Sequence, residues 1–157
     1  MTSKFQIFHF FNNPATLKEI AALEQASFTN PWSCESLTAE IANPLNLTST
    51  ISLRSAAGGR VIIGYGLTRI ISPEAELLRI AVAPAMRGRG VATEMLEKIL
   101  QNLLTHQVEK VYLEVSEINY FAISLYKKVG FTNTAYRSNY YDDGTTGAFI
   151  FTADLHH

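Results

Sequence analysis

The 157-residue sequence predicts an α/β domain with antiparallel strands first and a strand–helix–strand–helix unit afterwards. Three observations predict it. Runs rich in β-branched or apolar residues at 47–53, 61–71 and 76–82 succeed one another across short turn segments, as a meander does. Beyond them, apolar residues recur at helical spacing in 91–104 and again in 119–129, on either side of the alternating run Lys110–Val115. With 47% hydrophobic and 17% charged residues, the chain has enough apolar side chains for a sizeable core, at a length typical of one domain.

Each element has its own signal. "FQIFHFF" (Phe5–Phe11) is aromatic and loosely alternating, and reads as a first strand. From Pro14 to Phe28, Leu17, Ile20, Ala21, Leu23 and Ala26 keep a helical spacing. "TNPWS" breaks that helix, and Ser33 is placed to cap a second one running to Asn43 and Pro44. "SAAGGR" turns the chain between 47–53 and 61–71. In 91–104 the residues Val91, Ala92, Met95, Leu96, Ile99, Leu100, Leu103 and Leu104 form one stripe, opposite Glu94, Glu97, Lys98 and Gln101. Gly130 closes the helix that starts near Asn119, and a last pair of strands brackets "DDGTTG", where Asp142 and Asp143 suit a turn. No internal repeat or linker divides the chain, so one domain over 1–157 is expected.

The totals exclude several functions. A net charge of -1 gives no support to a protein that coats nucleic acid. Cys34 is the only cysteine, which rules out an internal disulfide and a cysteine-rich zinc site, and it is expected as a small buried hydrophobe. His9 and His106 are isolated and lack metal-ligand spacing, so no metal is expected. "MTSKFQIFHFF" lacks the pattern of a signal peptide, and no stretch approaches the roughly 18 apolar residues of a membrane span. A cytoplasmic protein is expected. His156 and His157 are given no function.

"MRGRGVA" (Met86–Ala92) sits between the strand 76–82 and the helix starting near Val91. Glycines there let the backbone turn tightly and approach a ligand, the first helical N–H groups lack partners, and Arg87 and Arg89 add positive charge. Together these suit a phosphate, although neither the dinucleotide nor the nucleoside-triphosphate glycine pattern is present. On these residues alone, a flexible surface turn remains the other reading.

"RIAVAPAMRGRGVATEML" resembles the acetyl-CoA-binding segment of the GNAT superfamily of N-acetyltransferases, whose pyrophosphate loop reads [RQ]-x-x-G-x-[GA]. Arg87, Gly88, Arg89, Gly90, Val91 and Ala92 match it at every fixed position. "YLEVSEINYFAISLYKKVGF" resembles that superfamily's following strand and helix. "SFTNPWS", "LEV", "LYKKVGF" and "RSNYYDDG" together look like the bacterial ribosomal-protein N-terminal alanine acetyltransferases, so that the similarity spans about Phe28 to Phe151. The resemblance implies a mixed, mostly antiparallel central sheet flanked by helices, with two parallel strands splayed apart at the acetyl-CoA site. It implies that Ile80, Ala81 and Val82 lie along the pantetheine arm, offering main-chain groups from Ile80 and Val82, while residues 87–92 hold the pyrophosphate.

For the chemistry, Glu114 is the candidate base and Tyr126 the candidate acid. In "KVYLEV" the residues Lys110, Tyr112 and Glu114 share the face opposite Val111, Leu113 and Val115. Taken alone, Glu114 reads as a solvated glutamate and Tyr126 as packing. The resemblance instead makes Glu114 a catalytic glutamate, and Tyr126 the residue that protonates the coenzyme A thiolate and touches the cofactor. It also makes Asn119 both a helix cap and a partner of the cofactor arm. Trp32, Tyr140 and Tyr141 would wall the acceptor groove, or serve only to anchor loops. Relatives commonly read "LEVRxSN" where this chain reads "LEVSEIN", which places Ser116, Glu117 and Ile118 at an acceptor-side departure. The expected function is acetyl-CoA-dependent acetylation of a protein or peptide N-terminal amine, possible targets including a ribosomal protein. Rival expectations are a small-amine acetyltransferase, a non-catalytic acetyl-CoA-binding module and, weakest, a nucleic-acid-binding domain.

Overall fold

The chain folds as β1 (Gln6–His9), α1 (Pro14–Ser27), α2 (Cys34–Ala42), β2 (Asn46–Arg54), β3 (Arg60–Ile71), β4 (Glu74–Val82), α3 (Val91–Thr105), β5 (Lys110–Ser116), α4 (Tyr120–Val129), β6 (Thr132–Arg137) and β7 (Ala148–Asp154), with a 3-10 turn at Pro84–Met86. The computed structural model describes the backbone of residues 6–9, 14–141 and 143–156. One sheet takes the order β1-β2-β3-β4-β5-β7-β6. Every neighbouring pair is antiparallel except β4 and β5. The expected first strand is present over its middle four residues, while Phe5, Phe10 and Phe11 lie outside the described residues.

Hydrophobic periodicity decides which face each helix shows the sheet. On α3, Val91, Met95, Leu96, Ile99 and Leu103 are buried, the stripe expected at 3.6 residues per turn. They pack with Ile51, Ile63, Leu77, Val82, Leu113 and Phe131 into the larger core, on the face that also carries α4. On the opposite face Ile20, Leu23 and Leu37 of α1 and α2 pack on Tyr65, Leu67 and Ala81. Glycines at 64 and 66 bring α3 close to β3, because a Cβ on Gly66 would stand 2.7 Å from Ile99 Cδ1 and one on Gly64 3.4 Å from Met95 Cε.

Strand β4 is irregular at one position. Leu67 pairs with Arg79 and Thr68 with Leu77, so Leu78 is an extra residue in β4. An inserted residue reverses the alternation of side chains beyond it. Ala75 and Leu77 therefore join the α3 core, whereas Ala81 joins the α1–α2 core and Val82 returns to the first.

Cys34 departs from expectation, being exposed and not buried. It is the first residue of α2, and that short helix buries Leu37 through a face that does not include its N-terminus.

Candidate active site

The candidate site begins where β4 and β5 part. They pair only over Glu74–Lys110, Ala75–Val111 and Glu76–Tyr112, although each continues for several residues. The Ala83 N–H donates to the Ile63 carbonyl at 2.7 Å, so Ala83 and, by alternation, Ala81 bond toward β3. The N–H and C=O groups of Ile80 and Val82 consequently point the other way, into the gap beside β5. The structure thus leaves free, along the gap, the two main-chain positions singled out in the sequence.

The glycine loop closes one end of that gap. Gly88 and Gly90 hold φ of +75° and +80°, a backbone region that side chains rarely adopt, and open space lies where their Cβ atoms would be. Gly90 is the N-cap of α3, and the Glu94 amide bonds back to its carbonyl at 3.1 Å. The amides of Val91, Ala92 and Thr93 precede the first helical acceptors and are left pointing forward. With exposed Arg87 and Arg89 beside them, they bring positive charge and unpaired helix-start amides together, an arrangement that suits a phosphate. At the other side of the gap, Asn119 Oδ1 accepts from the Ala122 amide at 3.2 Å and caps α4.

Glu114 and Tyr126 come from the two elements on the β5 side. Val111, Leu113 and Val115 are buried and Glu114 is half-exposed on the opposite face, as alternation requires. Arg137 Nη1 donates to Glu114 Oε1 at 2.8 Å. The guanidinium also lies 4.6 Å from the Tyr140 ring, and Tyr140 meets Tyr141 edge-on at 5.2 Å. The hydrogen bond to Glu114, with burial, raises the Tyr140 hydroxyl above its ordinary pKa, and burial with the Glu114 charge does the same to Tyr141. Tyr126 is buried against Phe131 and Phe151. Burial pushes its hydroxyl well above the usual tyrosine range, with Tyr141 adding to the effect, so it stands as a protonated donor. Glu114, Tyr140 and Tyr141 are thus one group, and Tyr126 lies within electrostatic reach of Tyr141.

Trp32 sits elsewhere. Its backbone N–H donates to Glu24 Oε1 at 3.1 Å, and its ring lies 4.8 Å from the Arg79 guanidinium, which also covers Phe28 at 3.7 Å. Trp32 thus meets β4, while Tyr140 and Tyr141 meet β5. Sequence reasoning missed Glu24, which is fully buried, binds Arg79 and accepts from the Tyr65 hydroxyl. Its signal was a carboxylate at helical spacing from Ile20 on the apolar face of α1. It also missed the use of Glu117, which accepts from the Tyr136 hydroxyl at 2.8 Å and the Gly147 amide at 3.0 Å. That glutamate braces the β6–β7 hairpin. Asp143 pins the same hairpin's turn by accepting from the Thr146 hydroxyl and from the amides of Thr146 and Thr145 at 2.7 and 2.9 Å, bonds that hold its carboxyl at about 2; Asp142 lies outside the described residues. Among the described residues, no group of three or more His, Cys, Asp or Glu side chains is placed to hold a metal, and no helix is long and apolar enough to cross a membrane.

Comparison with known proteins gives this geometry a family. The model of the acetyltransferase (GNAT) family matches residues 17–131. The ribosomal protein bS18-alanine N-acetyltransferase of Salmonella typhimurium is 34% identical over 120 residues, 76% of each chain. The crystal structure of the Escherichia coli ribosomal-protein alanine N-acetyltransferase has a TM-score of 0.85 at 25% identity, covering 98% of this chain and 95% of the other. Arabidopsis thaliana NAA60 in complex with acetyl-CoA shares the fold at 16% identity, with a TM-score of 0.83 over 96% of this chain and 98% of its own. With well over half its length matched, this chain belongs to the acetyltransferase (GNAT) family and is an N-acetyltransferase.

Proposed function

We propose that the chain transfers an acetyl group from acetyl-CoA to the N-terminal α-amine of a protein or peptide, of the ribosomal-protein alanine type, by direct attack in a ternary complex. The observation that carries this reading is the Glu114 group: a carboxylate at the mouth of the β4–β5 gap, beside Tyr140 and Tyr141, with the buried Tyr126 within electrostatic reach of Tyr141. The similarity to alanine N-acetyltransferases over most of the chain supports the acceptor class.

Acetyl-CoA supplies an acetyl thioester. The residues present fit it. The amides of 91–93 with Arg87 and Arg89 receive the pyrophosphate, Gly88 and Gly90 give it close backbone approach, and Ala92 is small enough to let it lie against α3. The main chains of Ile80 and Val82 meet the pantetheine amides, with Ala81 turning its side chain away into the core, and Asn119 borders the arm. An N–H near Val82 polarises the carbonyl. Glu114 draws in the amine and assists its deprotonation, a modest task because an α-amine has a pKa near 8. Tyr126 donates its proton to the departing sulfur.

Coenzyme A release, measured with acetyl-CoA and either a peptide beginning Ala-Arg or a polyamine mixture, tests the reading. Turnover of the peptide is expected. Turnover of polyamines alone would reject the acceptor class and keep the family.

A further inference from the structure

Two arginines stand on the sheet face that carries Glu114, each paired with a carboxylate and laid over an aromatic ring. They differ in how firmly they are held. Arg79 of β4 donates through both Nε and Nη2 to Glu24, which is fully buried, and its own side chain is 18% exposed. Phe28 and Trp32 cover that guanidinium at 3.7 and 4.8 Å. Among the described residues, Arg137 of β6 donates to Glu114 Oε1 alone, through Nη1 at 2.8 Å, and the two side chains are 53% and 26% exposed.

Glu114 and Ala135 both pair with Ile150 of β7, so Glu114, Ala135 and Arg137 lie on one face and Arg137 reaches Glu114 across β7. The backbone that carries Arg137 is pinned independently of this bond. Glu117 accepts from the Tyr136 hydroxyl, one residue before Arg137, and from the Gly147 amide, one residue before β7. Arg137 itself pairs with Ala148 in the ladder. Its guanidinium can therefore leave Glu114 by side-chain rotation with the hairpin in place, and the Tyr140 ring, 4.6 Å away, offers it a face to rest on. Tyr140 also bonds the Glu114 carboxylate, so that residue touches both members of the pair.

An incoming α-ammonium carries the same charge as the guanidinium and can replace it on Glu114. An acetylated amine is neutral and cannot. We propose that Arg137 is the exchangeable counterion of Glu114: it yields the carboxylate to the acceptor's ammonium and takes it back from the neutral amide, which makes the site selective for substrate over product. This rests on the reading of the gap as the amine's site. In the transfer the ammonium nitrogen loses two protons and bonds the acetyl carbon as the C–S bond breaks. The sulfur ends with one proton and solvent with the other, so the nitrogen leaves without charge. A half-exposed ion pair contributes little net stability, which lets a diffusing amine displace it. Arg79, bonded to a buried carboxylate, has no such freedom.

The test is acceptor KM and product inhibition in Arg137→Gln beside the wild-type chain, at saturating acetyl-CoA. Removing the internal rival should lower acceptor KM about fivefold, the upper end of what an exposed pair contributes. The inhibition constant of the acetylated peptide should fall with it. A residue that only props Glu114 would raise acceptor KM when lost. Guanidinium chloride, far below denaturing concentration, should compete with the acceptor more strongly in Arg137→Gln than in the wild type, whereas a propping role would have it restore activity. Acceptor KM raised or unchanged, product inhibition unchanged, or activity restored by guanidinium would each overturn the proposal. If the peptide is inert and a polyamine reacts, the acceptor class has failed, and the same measurements on the polyamine decide Arg137. Should Arg137→Gln fail to fold, the NMR signal of the Arg137 guanidinium in the wild-type chain decides. With coenzyme A bound, it should shift on saturation with the reactive amine and hold its place with the acetylated one. A signal unmoved by the saturating amine would overturn the exchange.

Discussion

Replacing Glu24 with alanine should be among the most destabilising single changes in the chain. Glu24 has 0% exposure, and one carboxylate there serves three donors: the Arg79 guanidinium, the Tyr65 hydroxyl and the Trp32 amide. The Arg79 side chain is only 18% exposed, so its charge stays in the interior when its partner is removed. Breaking a buried pair in this way costs about 3–5 kcal/mol, most of it the uncompensated charge and not the lost attraction. At about 2–4 °C per kcal/mol for a chain of this size, melting should fall on the order of 10 °C. Urea unfolding followed by circular dichroism measures the loss at 25 °C. The double variant Glu24→Leu/Arg79→Met removes both charges and should recover most of it, giving a coupling well above that of independent sites. A loss below about 1 kcal/mol in Glu24→Ala, or a double variant no better than the single, would refute the account. A purely structural effect should also loosen Trp32 and the α1–α2 connection before it disturbs α3.

Other single sites have expected outcomes of their own. Tyr126→Phe should slow turnover on the order of 100-fold while keeping the rise in melting temperature produced by acetyl-CoA, since only a hydroxyl is removed from a packed ring. Gly90→Ala forces a side chain into φ +80° and should cost about 1–2 kcal/mol; isothermal titration should show weaker acetyl-CoA binding as the loop gives way. In strand β3, Gly64→Ala should cost more than Gly66→Ala by urea unfolding. The new Cβ at 64 meets the Ala81 carbonyl at 3.0 Å, which is backbone, whereas at 66 the 2.7 Å contact is with the movable end of Ile99.

Much of this arrangement is legible locally. The stripe of α3, the alternation of β5, the Ser33 and Asn119 caps and the Gly130 terminus come from backbone geometry that repeats within a few residues, and the structure bears each out. The match of residues 87–92 to a family loop was equally local, since the loop's shape depends on its own glycines. Cys34 went wrong because burial of a residue at a helix end depends on which side faces the sheet, and composition does not state that. Glu117 looked like an added acceptor-side charge because its partners, Tyr136 and Gly147, come from strands that only the fold brings near.

By itself, then, the sequence determined the family, the order of elements, the glycine loop before α3 and the residue types available for acid–base work. Only the tertiary structure decided what those residues face. Glu114 meets Arg137 across 23 residues and Glu24 meets Arg79 across 55. The second meeting depends on one extra residue at Leu78 that reverses the faces of β4. A charge acts through space over a few ångströms in a low-dielectric interior, and which charges come that close is set by strand register, not by their positions along the chain.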